Sequence, residues 1–506
     1  MLERAVSSPA ADANFSELSR TLERLIDDPA LGLDILHSLA GGTIPSALRG
    51  VAERLSAALD TDIALDLEVD AMVSRARSAQ RAFERWSEWR VNELLAALSD
   101  TLTDHAEELA RASVSETGRG NIADKTVKNQ FASRTIFESL IDEPAQGVLS
   151  VDADRRVTEL ASPVGVVFAV VPITNPVATA IFKLLIALKT RNALILSFPQ
   201  RARGVGQFFT SIVRDVLCSH SVPPDLIQWT RPGTRKMTTK FMRHRGVSLI
   251  LATGGAGLVR AAYSSGTPAI GVGPGNAPAW ICDDADLDAA AAAVVMSKTF
   301  DNGMTCGAEH NLVVDASVAL PFTEALTRHG ACILTADEAA EFTSRVIDPA
   351  HQTLRSELIG QSASHIAARN GIYRPYPIRL LIVRTTARDI AGPYGDEKLA
   401  PVLSLFTAAS DEEALSLCSS LLERAGTGHT AIIHTASSAR ADRYADAMPA
   451  SRIIVNSPGA QGCCGMTTGL APSMTLGCGT LGGNSTTDNV TYRQLLNIKR
   501  VAHHLV

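Results

Sequence analysis

The sequence predicts an α/β protein with two doubly wound, mostly parallel sheets. The first observation is an alternation of β-like and helical runs that begins at Ser162, and the second is that residues 281–455 repeat this alternation. Strands separated by helices imply parallel pairing with helices on both faces of a sheet. The third observation is the length of 506 residues, which is enough for two or three domains and a large core.

The composition is that of an ordinary globular protein and excludes several functions. Hydrophobic residues make up 46% of the chain and charged residues 20%. The net charge of −6 gives no basic surface for nucleic acid, and the longest apolar runs, such as Val164–Val171, are too short to cross a bilayer. No apolar core follows a basic start, so no secretory signal is expected. The eight cysteines lack paired CxxC spacing, which predicts free thiols in the cytoplasm and no metal site.

A helical segment precedes the α/β part. Residues 1–65 contain three short helical runs, at Ser16–Ile26, Asp34–Ala40 and Ala47–Leu59, and no motif that carries chemistry. Ser16 suits an N-cap, and the apolar residues of the first run recur at helical spacing. The segment is either a packing appendage or an interaction tail whose amphipathic helices dock a protein partner.

Two long helices are predicted next, over Leu67–Trp89 and Val91–Thr117, with a further helix at Phe131–Ile141. Gly147–Ala161 contains two β-like runs around an Asp-rich turn, which predicts a hairpin. The strands of the first sheet are predicted at Gly165–Val171, Ala193–Ser197, Ile227–Thr230 and Val247–Leu251, and the helices among them at Pro176–Lys189 and Gly204–Cys218.

Cys306 stands in the stretch on which the functional interpretation depends, Ser297–Glu309. An Ala-rich helical run ends before it at Met296, and a β-like run, Asn311–Val314, follows it. A thiol at such a polar, glycine-bearing turn is open to a substrate and suits a nucleophile, whose reactive form is the thiolate. A buried structural cysteine is the alternative.

The heptapeptide Phe300–Cys306, FDNGMTC, resembles the nucleophile loop of the aldehyde dehydrogenase superfamily, in the form found in coenzyme A-acylating members. The resemblance covers about residues 66–506 and includes a similar C-terminal signature, Leu470–Ser485. It is closest to the acylating half of bifunctional aldehyde/alcohol dehydrogenases. It implies an aldehyde dehydrogenase-like fold of two Rossmann-like domains, with an oligomerisation arm formed by residues 147–161 and Tyr492–Val506.

A glycine turn is the first candidate for cofactor binding. A β-like run ends at Thr253, Gly254 and Gly255, and a helical run follows. Glycine lets a dinucleotide approach the backbone, and a helix N-terminus favours phosphate. A plain structural turn is the alternative, since the spacing is not GxGxxG. The resemblance makes this the cofactor turn and adds Thr174 and Gly273 as cofactor contacts.

The adenosine end of the cofactor is expected after the strand that ends at Ser197. The resemblance places Ser197 and Arg201 beside the adenosine ribose. The glutamate with which hydrolytic relatives hold that ribose is missing, and Arg201 with Arg203 could pair with a 2′-phosphate, so NAD and NADP both stay open. A solvated arginine pair is the alternative. Glu397 matches the family carboxylate that holds the nicotinamide ribose.

Two further residues match catalytic positions of the family. Asn175 matches the asparagine that donates to the oxyanion together with the backbone N–H of Cys306, and a turn asparagine before Pro176 is the alternative. His429, in Gly-Thr-Gly-His-Thr, matches an element of the acylating relatives. It would deprotonate the incoming thiol or contact coenzyme A, and a structural histidine is the alternative.

Val272 is an informative departure from the hydrolytic members of the family. Those enzymes carry at this position a glutamate that activates water, and without such a base the attack of water is slow. A thiol forms its nucleophilic anion at far lower pH than water does. The acylating branch has the same substitution, so thiolysis by coenzyme A is favoured over hydrolysis.

The sequence thus predicts a cytoplasmic oxidoreductase, a homodimer or homotetramer, that converts a short aldehyde, coenzyme A and NAD(P) to acyl-CoA, reversibly, through a thiohemiacetal and a thioester on Cys306. The expected domains are a dinucleotide-binding domain at 66–280, a catalytic domain at 281–455, and a return segment with the arm at 456–506. The alternatives are a hydrolytic enzyme that releases a free acid and a non-catalytic scaffold or filament relative. Acetaldehyde is the default substrate by resemblance, and propionaldehyde, sulfoacetaldehyde and succinic semialdehyde stay open.

Overall fold

The computed structural model describes residues 46–231 and 234–505. The chain divides into two compact units, one that ends at Met72 and one that begins at Val73, and all the sheets belong to the second unit. No helix within the described ranges is long and apolar enough to cross a bilayer. The predicted helices at 16–26 and 34–40 lie outside the described residues.

The first described helix, α1, spans Ser46–Phe83. It corrects two predictions, because residues 47–59 are part of this helix and no new helix begins at Leu67. The predicted end at Trp89 is also wrong. A new helix begins after Ser87, whose side chain accepts a hydrogen bond from the N–H of Arg90 and so caps it.

The predicted helix over Val91–Thr117 is two helices, α2 (Glu88–Asp104) and α3 (Ala106–Thr117). They separate at His105, whose ring Nδ1 lies 2.9 Å from the carbonyl oxygen of Thr101. The helical layer continues with α4 (Ile122–Gln130), a π-helical turn (Phe131–Thr135) and α5 (Ile136–Leu140). The antiparallel hairpin that follows, β1 (Gly147–Asp152) and β2 (Val157–Pro163), confirms the predicted hairpin.

The first sheet has five parallel strands in the order β5-β4-β3-β6-β7, which confirms the doubly wound prediction. Its elements are β3 (Val166–Val170), α6 (Pro176–Lys189), β4 (Ala193–Ser197), α7 (Arg203–Ser219), β5 (Ile227–Trp229), α8 (Arg235–Arg243), β6 (Leu249–Thr253), α9 (Ala256–Tyr263) and β7 (Ala269–Val272). The chain winds outward from β3 on one side and from β6 on the other, so the strand order reverses between them. Ligands bind such sheets beyond the carboxyl ends of the strands at that reversal.

The second sheet has seven parallel strands in the order β10-β13-β14-β9-β8-β15-β16. Its strands and helices are β8 (Ala277–Ile281), α10 (Leu287–Thr299), β9 (Glu309–Asp315), α11 (Ala319–Arg328), β10 (Ala331–Ile333), α12 (Ala336–Val346), α13 (Ala363–Arg369), β13 (Leu380–Arg384), β14 (Val402–Ala408), α14 (Asp411–Arg424), β15 (Gly428–His434), α15 (Ser438–Ala447) and β16 (Ala450–Val455), with a two-stranded β11 (Ile347–Asp348) and β12 (Thr353–Leu354) after α12 and a short α16 (Gly459–Gly462) after β16. Strand β8 crosses the predicted border at 280 and pairs only with β9 and β15 of this sheet. We therefore propose that the border between the two sheet domains lies between Val272 and Ala277.

Helices cover both faces of the second sheet because its strands are apolar on both sides. Ile281 and Val314 pack with α10 and α11 in one buried cluster, whereas Trp280 and Val313 pack with α14 in another. The alternation of neighbouring residues between the two clusters follows the two-residue repeat of a strand. Such burial fixes the strand ends from which the candidate site is built.

The last strand, β17 (Leu496–Ala502), pairs antiparallel with β2. Strands β1, β2 and β17 form a separate three-stranded sheet. This confirms that the hairpin and the C-terminal stretch are partners, as the sequence predicted.

Candidate active site

A cavity of about 320 Å³ opens beyond the carboxyl ends of β3 and β6. The loop that leads into β9 closes its other side. Most of the predicted site residues lie in its wall: Thr174, Asn175, Thr253, Gly254, Gly255, Gly273, Cys306 and Glu397. These segments meet because parallel strands place all their carboxyl ends at one edge of a sheet.

Cys306 reaches the cavity through an unusual turn that follows α10. Asp301 and Asn302 have left-handed backbone angles, with φ of 51° and 54°, which few residues other than glycine adopt. Behind the nucleophile, a Cβ on Gly275 would lie 2.0 Å from the carbonyl oxygen of Cys306. The backbone position of the partly exposed Cys306 therefore requires glycine at 275.

His429 is the basic group in contact with the nucleophile. Its Nε2 lies 3.2 Å from the Sγ of Cys306, and its Nδ1 lies 2.9 Å from Thr430 Oγ1. The Nε of Arg452, on β16, donates to the same Thr430 Oγ1 at 3.4 Å. The buried imidazole is thereby positioned against the thiol by two neighbouring strands, β15 and β16.

The cysteine and the histidine are both uncharged at neutral pH. Burial, followed by the nearby Glu397 carboxylate, raises the pKa of the Cys306 thiol to about 12. Burial, followed by the charge of Arg452, lowers the pKa of His429 to about 3. The proton therefore stays on the resting sulfur, and the neutral imidazole is placed to accept it as the sulfur attacks a carbonyl carbon and the S–H becomes more acidic.

Asn175 is held with its amide nitrogen towards the nucleophile loop. Its Oδ1 accepts from Lys128 Nζ at 2.9 Å, and its Nδ2 donates to the carbonyl oxygen of Met304 at 3.1 Å. An ammonium only donates and a carbonyl only accepts, so these partners determine which end of the amide is which. In the described part of the chain, nothing accepts from the backbone N–H of Cys306. Both groups can donate to an alkoxide formed at the cysteine.

A buried charge cluster that the sequence analysis missed supports this arrangement. The Oδ2 of Asp301 accepts from Lys125 and from Lys128, each at 2.9 Å. Lys125 also donates to the carbonyl oxygen of Thr174 at 2.8 Å, and Lys128 to that of Met304 at 2.9 Å. The cluster ties α4 to the nucleophile loop and to the strand end that carries Asn175. The available signal was the spacing of the two lysines, which puts both on one face of a helix.

Glu397 enters the cavity from the second sheet. Its Oε1 accepts from the N–H of Gly275 at 3.2 Å and lies 4.0 Å from His310 Nε2. The Nδ1 of His310 accepts from the N–H of Lys398 at 2.9 Å, so its proton sits on Nε2, on the side of Glu397. Burial raises the pKa of Glu397 to about 7. This carboxyl therefore titrates near neutrality.

Two predicted cofactor residues lie outside the wall of this cavity. Ser197 is buried at the end of β4, where its Oγ accepts from Thr230 Oγ1 at 3.3 Å. Arg201 is exposed on the turn Gln200–Ala202 that follows. Both still stand at the carboxyl edge of the first sheet.

The cavity suits a dinucleotide. Gly254 and Gly255 immediately precede α9, whose first N–H groups are free to bind phosphate. The Oγ1 of Thr253 is buried and has no hydrogen-bond partner among the described residues, as expected where a ligand supplies one. The Glu397 carboxylate can accept from ribose hydroxyls. Across residues 46–231 and 234–505, no group of His, Cys, Asp or Glu has a metal-binding arrangement.

Comparison with known proteins gives one consistent result. The model of the aldehyde dehydrogenase family matches residues 61–493. The chain is 39% identical over 440 residues to the bifunctional aldehyde-alcohol dehydrogenase AdhE of Escherichia coli (strain K12), covering 86% of this chain and 49% of that protein. It thus spans about half the length of the bifunctional relatives it matches.

Two further relatives match over most of their length. The chain is 37% identical over 444 residues to the sulfoacetaldehyde dehydrogenase (acylating) of Cupriavidus necator, covering 86% of this chain and 88% of that protein. It superposes on the crystal structure of an acetylating aldehyde dehydrogenase from Geobacillus thermoglucosidasius with a TM-score of 0.85 and 37% identity, covering 88% of this chain and 98% of the other.

Proposed function

The chain belongs to the aldehyde dehydrogenase family, and we propose that it oxidises a short aldehyde with NAD or NADP and passes the acyl group to coenzyme A, reversibly. The observation that carries thiolysis is the wall around Cys306. Val272 puts an apolar side chain there, and Glu397 is the one acidic residue of the described cavity wall. Glu397 already accepts a hydrogen bond from the N–H of Gly275, and the hydroxyls of a cofactor ribose would donate further hydrogen bonds to it. The wall thus offers no free carboxylate to activate water, and a thiol needs no such base.

The catalytic roles follow from the contacts of Cys306. As the thiol attacks the aldehyde carbon, its proton moves to Nε2 of His429, and the new C–S bond gives a thiohemiacetal alkoxide. Asn175 Nδ2 and the N–H of Cys306 donate to the alkoxide. A nicotinamide cofactor held by Glu397 and the Gly254–Gly255 turn would supply the hydride acceptor for oxidation of the same carbon. After the hydride has left, Cys306 carries the acyl group as a thioester. His429 then releases the proton that it took from the thiol to solvent.

The second half of the reaction uses the same base. His429 accepts the thiol proton of coenzyme A, whose sulfur attacks the thioester, and the Cys306 sulfur leaves and takes up that proton. One aldehyde, one coenzyme A and one oxidised cofactor give one acyl-CoA, one reduced cofactor and one proton. The described cavity wall offers no free carboxylate as a base for water, which disfavours the hydrolytic alternative, and the non-catalytic alternative leaves the Cys306–His429 contact unexplained.

The substrate we propose is a short aldehyde. The volume of about 320 Å³ is shared with the nicotinamide, which leaves room for few further atoms. The related proteins act, by their names, on acetaldehyde-type and sulfoacetaldehyde substrates, so both kinds belong in a substrate panel. We further propose a cytoplasmic location, since all eight cysteines are free thiols.

The three-stranded sheet supports an oligomer as part of this proposal. Its outer strands carry exposed apolar side chains: Val148 is 54% exposed, Val151 68%, Ile498 37% and Val501 42%. Apolar side chains on the edge and face of a small sheet are a typical contact for a second chain. We propose a homodimer or homotetramer built through this arm. A monomer by analytical ultracentrifugation at micromolar concentration would contradict that.

The proposed function is tested by identifying the product. Wild-type protein with acetaldehyde, coenzyme A and NAD or NADP should give acetyl-CoA, detected by mass spectrometry. The Cys306→Ala variant should give none, because it lacks the sulfur that carries the acyl group. Free acetate as the main wild-type product, or full activity of the variant, would refute the proposal.

A further inference from the structure

Arg119 is a cation in the cavity wall to which the described residues supply no partner. The turn Gly118–Gly120, after α3, places Arg119 in the cavity wall, where its side chain is half-buried. Its guanidinium makes no hydrogen bond or ion pair with any residue that the structure describes. A half-buried, unpaired guanidinium is costly to maintain, which points to a ligand that completes it.

The backbone that carries Arg119 is held firmly. Gly118 adopts the left-handed conformation that ends α3, with φ of 67°. Its carbonyl oxygen accepts from Gln361 Nε2 at 2.8 Å, and the N–H of Gly120 donates to the carbonyl oxygen of Gly360 at 2.9 Å. A Cβ on Gly360 would lie 3.0 Å from the Cβ of Arg119, so the two segments are in close contact. The guanidinium is thus presented from a fixed base.

A second arginine, Arg201, also makes no side-chain hydrogen bond or ion pair with the residues that the structure describes. Both carboxylate oxygens of Glu116, on α3, accept from N–H groups at the start of α7, those of Gly204 at 2.9 Å and Val205 at 2.8 Å. This brings the turn that carries Arg201 against α3. Burial, followed by the charge of Arg201, lowers the pKa of Arg119. The Glu116 carboxylate is engaged by these two N–H groups and forms no ion pair with either arginine in the described part of the chain. Two like charges held near each other, with the neighbouring carboxylate bound to backbone N–H groups, favour a bound anion.

The start of α9 lies in the wall of the same cavity. Gly254 and Gly255 and the free N–H groups of its first turn lie there, next to the unpartnered Oγ1 of Thr253. A ligand that engages both Arg119 and these donors needs several anionic oxygens. A diphosphate has that shape and charge.

We propose that Arg119, assisted by Arg201, binds the diphosphate of an adenosine diphosphate moiety, the part that NAD(P) and coenzyme A have in common. This inference rests on the proposed function for the identity of the ligands. The cysteine chemistry and the phosphate site involve different residues, so each can fail alone.

The test is binding without turnover. Calorimetric titrations with ADP, AMP, adenosine 2′,5′-bisphosphate and adenosine 3′,5′-bisphosphate compare the wild type with Arg119→Met and Arg201→Met. Arg119→Met should weaken ADP binding about tenfold to a hundredfold, since one charge-assisted contact is lost. AMP and the bisphosphates, each with one 5′-phosphate, should lose less. Arg214→Met, which removes an exposed charge further along α7, is the matched control and should leave all affinities unchanged.

Titrations with intact NAD, NADP and coenzyme A identify which ligand uses the site. If Arg119→Met binds any of these ligands more weakly than the wild type, and also binds ADP more weakly, the proposal is supported. ADP affinity unchanged in Arg119→Met, with the thermal midpoint also unchanged, would overturn the proposal. A loss confined to either bisphosphate would overturn it too, because the arginine would then read a ribose phosphate. If the wild type needs no coenzyme A for turnover but Arg119→Met still binds ADP more weakly, the proposed function is refuted and the phosphate site is retained.

Discussion

The Nε2 atom of His429 lies 3.2 Å from the Sγ atom of Cys306, and both groups are neutral in the resting protein. The nucleophile is thus stored as a thiol beside a base that is free to take its proton. Because neither partner is charged beforehand, the proton has to move as the C–S bond forms. This arrangement protects the thiol from other electrophiles until a substrate is in place.

Alkylation of Cys306 by iodoacetamide should therefore be slow at neutral pH. With the thiol pKa at about 12, its thiolate fraction and its alkylation rate should rise about tenfold per pH unit between roughly pH 7 and pH 10. Mass spectrometry of the Cys306 peptide separates it from the other seven cysteines. A rate that levels off below pH 8 would mean a preformed thiolate and would contradict the neutral pair.

Loss of Lys128 should release the amide of Asn175. Asn175→Ala should lower kcat by about 10²–10³, the cost of one oxyanion donor. Lys128→Met should lower kcat less, about tenfold, because the side-chain amide of Asn175 can still reach the oxyanion in some of its orientations. Lys128→Arg, which keeps the charge, is the control and should retain more activity than Lys128→Met.

A double-mutant cycle decides whether Lys128 acts through Asn175. In an Asn175→Ala background, Lys128→Met should add little to the loss of kcat, since the residue it orients is gone. Strictly additive losses of kcat would mean that Lys128 acts independently of Asn175.

Binding of the nicotinamide cofactor should depend on pH through Glu397. Its pKa of about 7 means that the carboxyl is protonated below neutrality and becomes a full acceptor for ribose hydroxyls above it. Affinity for NAD or NADP should rise between pH 6 and pH 8 and then level off. Glu397→Gln should flatten this rise, and a rise that persists in the variant would assign the titration to another group.

The raised pKa of Glu397 gives protein stability the opposite pH dependence from cofactor affinity. The folded-state pKa of Glu397 lies above its ordinary value, so the folded protein binds the extra proton between about pH 4.5 and pH 7. The contribution of this carboxyl to stability is present at the acid end and is lost as the pH rises through 7.

Local signals in the sequence were enough for the sheets and for much of the site. Helix α6 begins and ends where predicted, because Pro176 suits the first turn and the helix is apolar apart from Thr179, Lys183 and Lys189. The Lys128–Asp301 contact joins residues 173 positions apart, and no local pattern encodes it. The same holds for the contact of Gly360 with the Arg119 turn. The first break was predicted at Trp89 although the helix ends at Phe83, and the break at His105 was missed, because helical periodicity continues through both positions.

Gly275 offers a test of how the nucleophile is positioned. Gly275→Ala should displace the carbonyl of Cys306, lower the free energy of unfolding by about 1–3 kcal/mol and abolish activity. Gly257→Ala is the matched control. Its added Cβ meets nothing within 4 Å, and alanine favours the helix, so stability should stay equal or rise by up to about 1 kcal/mol. Urea unfolding curves of the two variants measure the difference, and equal stabilities would contradict the close approach.

The coenzyme A dependence of the reaction tests the central claim most directly. Reduced-cofactor formation is followed by absorbance with acetaldehyde, propionaldehyde and sulfoacetaldehyde, each with NAD and with NADP, in the presence and absence of coenzyme A. We predict sustained turnover only with coenzyme A, and without it at most one reduced cofactor per Cys306, as the thioester accumulates. Equal sustained rates without coenzyme A would mean that water reaches the thioester despite Val272, and the protein would then be a hydrolytic aldehyde dehydrogenase.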